Sequence, residues 1–521
     1  MGRRALTSST ALDATGPGDI EALAKGGRTN FFGFLLRLAA RLPFLFIAGR
    51  WYGADALGRF AYATIIVEFA GQLATMGLKR GLAQQLSTTT DRDHVCVVWD
   101  GLLVGWVASI VAAGVLMAVP ELMFPNSEIN QRDYLLPLTI FAWAGSDIAL
   151  AALAYRGDIG ATVKARSLVE PWAISIAAFA LSWYSLRDGL IISYAISAAA
   201  ALAVSLYPLL KAYGRPRGWR PEPLQLSRVA LRNLPLAGAD AIEWGSRRLD
   251  IAMLGLFFAP AIVGIYYVAQ QVASLPQKLK TSFDPILGPV ITQNLAEDNR
   301  AAVAKQVRQV GFWIIAAQIG IALALAIPGK AVMGLVGPTF VGGTGALGVL
   351  LAAEAIAATA VVSEAALIYL APWRNLAISV AMIVVQTALS VALVYLLRAI
   401  LPTLAVAGWV GPRPAPWEDA IAAAGPAIAL MLALGLAALV KAGLLRRLLG
   451  APVSGWRWSL IWAAFIAGAL GWGVTRLPHS FEWFELVIGV PLILGTFGAI
   501  VWFTGFNRDD RALFRKHEVA A

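Results

Sequence analysis

Charge is scarce in this chain. Asp, Glu, Lys and Arg make up 14% of its 521 residues, where a soluble chain carries about 25%. Cysteine occurs once, at Cys96, so no internal disulfide forms. Histidine occurs three times, at His94, His479 and His517, far apart in the chain. His94 and Cys96 supply at most half a metal site and read as solvated loop residues. No P-loop, H-E-x-x-H or paired-carboxylate motif is present. The stretch GPTFVGGTG (337–345) has the glycines of a phosphate loop but no lysine to complete it, and reads as a tight turn. Residues 1–29 are polar and mixed in charge. They lack the basic-then-apolar order of a signal peptide and read as a cytoplasmic tail. These absences leave no expected cofactor or metal, and no catalytic residue.

Apolar residues, by contrast, make up 59% of the chain, and the mean hydropathy is +0.69. A membrane span needs about 20 mainly apolar residues. Such stretches fall at 30–52, 58–78, 96–119, 134–155, 168–186 and 189–210, then at 233–258, 262–288, 309–329, 344–371, 375–397, 420–440, 458–475 and 484–504. The expected fold is therefore an all-α polytopic membrane protein of about fourteen helices. The eighth is interrupted by Lys278, Lys280 and Asp284, with Pro289 as an alternative stop.

The placement of lysine and arginine supports this division. With both termini cytoplasmic, 30 basic residues fall on the inner side, Lys79, Arg80, Arg166 and Lys441 among them. Seven fall on the outer side: Arg59, Arg132, Arg187, Lys330, Arg398, Arg413 and Arg476. That asymmetry alternates loop by loop, as the positive-inside rule requires. The net charge of +11 is thus a topology device and an attraction to anionic lipid headgroups. A nucleic-acid partner is excluded, because the basic residues are spread over separate short loops.

A cytoplasmic stretch with three prolines, 211–232, divides the first six helices (30–210) from the next six (233–440). Two further helices (441–505) and a tail (506–521) follow. A repeat crosses the divide. Shifted by 206 residues, Arg41 falls on Arg247, Gly49 on Gly255, Gly58 on Gly264, Phe60 on Tyr266 and Ala63 on Ala269. Six helices return the chain to its starting side, so the halves are expected to be parallel repeats enclosing a central cavity.

Five basic residues remain outside the inner and outer loop tallies. Arg50 is near an outer end and snorkels. Arg37 and Arg41 share a face of the first helix, and Arg247 and Arg248 sit in the seventh. An arginine at bilayer depth costs at least about 2.5 kcal/mol and needs water or a partner. Its planar fork of donors fits phosphate oxygens. These four are the candidate cavity residues for a diphosphate. The acids Glu68, Asp147, Asp240, Glu243, Asp250, Glu354 and Glu364 are candidates for ion coupling or counter-charge. Glu68 is expected at the depth of Arg41 on the neighbouring helix, and Glu243 and Asp250 flank Arg247 at helical pairing distance. Pro43 and Pro235 are candidate kinks on the two first helices.

Three passages carry a family resemblance: NFFGFLLRLAARLPFLFIAGRWYGADALGRFAYA (30–63), RRLDIAMLGLFFAPAIVGIYYVAQQVASLP (247–276) and GLVGPTFVGGTGALGVLL (334–351). The pattern resembles the multidrug/oligosaccharidyl-lipid/polysaccharide (MOP) flippase superfamily, in its polysaccharide-biosynthesis branch. The resemblance covers residues 30–440. It implies two six-helix lobes around a central cavity, with two extra C-terminal helices. It also implies a flippase that moves an isoprenoid-diphosphate-linked oligosaccharide from the inner to the outer leaflet by alternating access. The expected setting is the bacterial inner membrane, among membrane lipids and other surface-polysaccharide assembly proteins. Two alternatives stand beside it: a drug/cation antiporter of the same superfamily, and a membrane-embedded glycosyltransferase or ligase.

Overall fold

The computed structural model describes residues 42–89, 94–214, 219–280, 299–406, 417–477 and 483–507, together with 291, 294, 295, 297 and 510. Among the described residues there are helices and no strands. In a bilayer this follows from the need to satisfy every backbone polar group within the segment. Among the described residues ten segments are long and apolar enough to cross a membrane. They coincide with expected spans two to four, six and nine to fourteen. Of the first span only 42–52 (α1) is described, so Arg37 and Arg41 lie outside the described residues. The described parts of the fifth, seventh and eighth are helical but do not stand among the ten, and Asp284 and Pro289 lie outside the described residues.

The first half continues with α2 (Gly53–Ala74), α3 (Leu78–Ser87), α4 (His94–Ala118), α5 (Leu135–Tyr155), α6 (Glu170–Leu181) and α7 (Gly189–Tyr213). The second half begins with α8 (Pro223–Ser246), α9 (Leu249–Phe257) and α10 (Pro260–Lys280). After these come α11 (Arg300–Ala326), α12 (Thr344–Ala357), α13 (Val361–Leu370), α14 (Pro372–Val406) and α15 (Gly425–Leu449). The last two are α16 (Trp458–Thr475) and α17 (Val490–Ile500), which pack on each other and on α11.

Three boundaries differ from the hydropathy reading. The seventh span is not one helix: α8 stops at Ser246 and α9 starts at Leu249, so the chain breaks at Arg247 and Arg248. Two adjacent guanidinium groups are thereby released from one continuous apolar rod. The linker is also shorter, because α8 begins with Pro223 at its first turn, where a missing N–H costs nothing. The approach to α8 and its first turn are tied down: Trp219 Nε1, before the helix, and Gln225 Nε2, in its first turn, donate to the buried Asp100 of α4, at 2.8 and 3.1 Å. Finally α15 runs on to Leu449, so Lys441 lies within the helix and is buried rather than in an inner loop.

The halves meet where α2 crosses α10. A Cβ on Gly58 would lie 1.7 Å from the Pro260 carbonyl oxygen, and a Cβ on Gly264 would lie 2.0 Å from that of Ala54. Both pairs of positions, 54 with 260 and 58 with 264, are separated by the repeat shift of 206 residues. The contact is therefore reciprocal, as two copies of one motif around a local two-fold axis must make it. Only glycine lets the backbones approach this closely.

The repeat also explains a buried acid. In the first half Phe44 and Phe60 meet edge to face, 5.7 Å between ring centroids. The positions 206 residues later hold Asp250 and Tyr266. There the Tyr266 hydroxyl donates to Asp250 Oδ2 at 2.8 Å, with Asp250 fully buried. A polar contact has taken the place of an aromatic one. Tyr266→Phe should cost about 1.5–3 kcal/mol by stranding the carboxylate. Adding Asp250→Phe recreates the first-half pair and should return most of that loss, as read from thermal melting of purified protein.

Candidate functional site

Arg247 and Arg248 leave the helix break in different directions. Arg248 reaches into the first half, where Nη1 lies 3.5 Å from Glu68 Oε2. The Tyr194 hydroxyl of α7 donates to the other Glu68 oxygen at 3.2 Å, and the Arg248 guanidinium lies over the Trp244 ring at 5.2 Å. Arg247 instead pairs within α8, 3.4 Å from Glu243 Oε1. The same Glu243 accepts from Arg80 of α3 at 2.7 Å, and Arg80 Nε lies 2.9 Å from Asp240. Arg80 was expected in an inner loop; it is a bridge between the halves. Its approach is set by Gly77, whose positive φ of 68° turns the chain against α8 with no room for a side chain.

Asp147 sits apart from these. Arg166 and Lys79 contact it, and Arg166 also donates to Glu170 at 2.8 Å while lying over the Trp143 ring at 4.1 Å. The i,i+4 spacing of Arg166 and Glu170 was the available signal for this pair. The approach of Arg166 to Asp147 had none.

Glu354 and Glu364 line a cavity of about 670 Å³. All but one of the described residues lining it come from the second half, the exception being Arg80. Its charged lining is balanced, with Arg80, Arg247 and Lys441 set against Glu243, Glu354 and Glu364. The Lys441 ammonium donates to Glu364 at 2.9 Å and to Ser379 Oγ at 3.2 Å. The leucines beyond Lys441 (Leu444, Leu445, Leu448 and Leu449) were a signal that the helix continues, but Arg446 and Arg447 among them end the apolar run. Of the four candidate arginines, the cavity includes Arg247; Arg248 is directed to Glu68. Asp240 and Asp250 are held by Arg80 and Tyr266.

The Arg247–Glu243 pair is 46% and 53% exposed. At such exposure an ion pair is worth about 0–1 kcal/mol. Arg247→Ala should therefore leave the yield and melting temperature of purified protein nearly unchanged. A collapse in yield would show that Arg247 is a structural brace.

His94 corrects another expectation. It is buried, not solvated, with Nε2 at 2.8 Å from the Leu86 carbonyl and its ring edge-on to Tyr155. Among the described residues no group of three or more His, Cys, Asp or Glu side chains is placed to hold a metal ion.

Residues 49–327 match the family described as polysaccharide biosynthesis protein. No curated protein matches the chain in sequence. Among solved structures, the fold is similar to the lipid II flippase MurJ in an inward closed conformation. The TM-score is 0.62 at 11% identity, over 92% of this chain and 98% of that one. It is also similar to an inward-facing multidrug resistance MATE family transporter of the MOP superfamily. There the TM-score is 0.61 at 13% identity, over 80% and 98%. A MOP superfamily transporter from Pyrococcus furiosus, whose binding pocket is described as reversed in polarity, gives 0.52 at 12% identity over 83% and 96%. These solved structures are of transporters and a flippase, and the likeness to them is one of fold. The match over more than half of the sequence identifies the chain as a member of the polysaccharide biosynthesis protein family.

Proposed function

We propose that this protein is a flippase for an isoprenoid-diphosphate-linked oligosaccharide, moved from the inner to the outer leaflet of the bacterial inner membrane by alternating access. The observation that carries this reading is membership of the polysaccharide biosynthesis family over residues 49–327. A diphosphate with attached sugars cannot cross hydrocarbon unaided, because burying its charge is prohibitive. A cavity that opens to one leaflet at a time removes that barrier, while the lipid tail stays in the bilayer.

In this reading residues 30–210 and 233–440 are two lobes, and both termini are cytoplasmic. The Gly58–Gly264 crossing then lies toward the outer face, and the Arg80 bridge to Asp240 and Glu243 toward the inner face. Rocking the lobes exchanges one closure for the other. Arg37 and Arg41, four residues apart in the first expected span, receive the diphosphate. The three acids and three bases of the cavity are charge-balanced, which suits an uncharged portion of the cargo rather than its phosphates.

The test is a leaflet assay in proteoliposomes with a fluorescent isoprenoid-diphosphate disaccharide. Wild-type protein should expose the probe to an external quencher. Replacing Arg37 and Arg41 together by alanine should slow exposure at least about 10-fold, the scale of one lost charge-assisted contact. Lysine at both sites should restore part of it, keeping charge but losing the bidentate fork. Wild-type vesicles that expel a cationic dye under a sodium or proton gradient, yet leave the lipid where it was, would assign the antiporter function instead.

A further inference from the structure

The second-half cavity holds more than charges. Four amide side chains line it: Gln270 on α10, Gln318 on α11, and Asn375 and Gln386 on α14. The last three each keep one buried amide atom without a hydrogen-bond partner: Gln318 Oε1, Asn375 Oδ1 and Gln386 Nε2. Gln318 and Gln386 are 1% and 4% exposed. Gln318 is also fixed in place, because its Nε2 donates to the Pro276 carbonyl at 3.1 Å. On α14 the spacing of residues 375, 379 and 386 puts Asn375, Ser379 and Gln386 on one helical face. Ser379 receives the Lys441 ammonium, which also holds Glu364.

The unpaired atoms are two acceptors and one donor, and that mixture selects among ligands. A phosphate offers only acceptors, so it leaves the oxygens of Gln318 and Asn375 unmet. A metal cation serves those oxygens but not the Gln386 N–H. A hydroxyl donates and accepts at once, so neighbouring hydroxyls on one ring meet both needs. The volume, about 670 Å³, is within the usual range of roughly 300–1,000 Å³ for ligand pockets.

We propose that this cavity is a saccharide subsite for an uncharged, hydroxyl-rich sugar, with Gln318, Asn375 and Gln386 as its hydrogen-bonding wall and the Lys441–Glu364–Ser379 corner closing one side. The inference rests on the flippase reading for the origin of the sugar, which is the headgroup of the lipid-linked cargo. The site itself is set by the three amides.

The experiment uses the full chain in lipid nanodiscs and three soluble probes: cellobiose, lactose and di-N-acetylchitobiose. Binding is followed by ligand-observed NMR, with inorganic pyrophosphate as competitor. At least one disaccharide should bind saturably and resist displacement by pyrophosphate. Gln386→Leu and Asn375→Leu, which keep volume and remove the amide, should each weaken it about 10-fold or more. Should either variant fail to fold, a Ser379→Cys probe in a Cys96→Ser background gives the same answer, since the bound sugar should slow maleimide labelling. No saturable binding by any of the three, binding indifferent to both substitutions, or displacement by pyrophosphate overturns the subsite. The leaflet assay on the same preparations separates the two readings. Lipid movement without sugar binding removes the subsite alone, whereas sugar binding without lipid movement removes the flippase reading and leaves the subsite standing.

Discussion

Replacing Gly58 with alanine should break the contact between the two halves and reduce lipid movement at least about 10-fold. The added methyl carbon would lie 1.7 Å from the Pro260 oxygen and 2.5 Å from the Gly264 nitrogen. Both are backbone atoms of α10, so no side chain can turn aside. Overpacking in a well-packed site costs about 1–3 kcal/mol even where side chains can yield. Here two helices must separate instead. Gly264→Ala should act in the same way, its methyl meeting the Ala54 oxygen at 2.0 Å. The double change should cost less than the sum of the two, because helices already parted for one methyl have room for the second. Thermal melting and the leaflet assay on all three variants measure this. A Gly58→Ala protein that melts and transports like wild type would show that α2 and α10 do not meet here.

The second large effect is expected at Arg59. It was counted among outer-loop charges, but it is 5% exposed and paired with Asp133, which is 1% exposed. Its guanidinium also donates to the Glu128 carbonyl at 3.1 Å and lies over the Phe124 ring at 4.3 Å. Removing one member of a buried pair typically costs about 3–5 kcal/mol, because the other charge stays buried alone. Arg59→Met should therefore lose most of the folded protein. Asp133→Leu added to it should recover a large part, since no charge is then stranded. Recovery should stop short of wild type. Asp133 also accepts from the Asn130 backbone N–H at 2.8 Å and completes the cap of the turn Gln131–Tyr134, a contact worth about 1 kcal/mol. A single variant with wild-type yield would place Arg59 in solvent.

The arginines of the seventh span show where reading the chain reached its limit. Periodicity put Glu243 one turn before Arg247, and that pair forms. Asp250, one turn after, was an equal candidate but is held by Tyr266. Periodicity gives neighbours on one continuous helix. The break at Arg247 and Arg248 ends that continuity, and the only local mark of it is the Gly245–Ser246 pair just before it. Lys441 was hidden differently. Lysine at the end of an apolar run reads as a loop residue under the positive-inside rule, and only the helix passing on to Leu449 places it opposite Glu364.

By itself the sequence determined that this is an all-helical membrane protein, where most of its long apolar helices lie, and that its two halves repeat. Each of these follows from local quantities: apolar length against bilayer thickness, and matching residues at a constant shift. Only the tertiary structure decided which charges meet. Glu68 lies against Arg248, Asp147 against Arg166, and Arg80 between Asp240 and Glu243. Partners from different helices depend on how each helix is rotated about its axis and how closely it approaches its neighbour. Packing sets both, through contacts such as Gly58 against Gly264, and a one-dimensional pattern carries the glycines without saying which surface they will face.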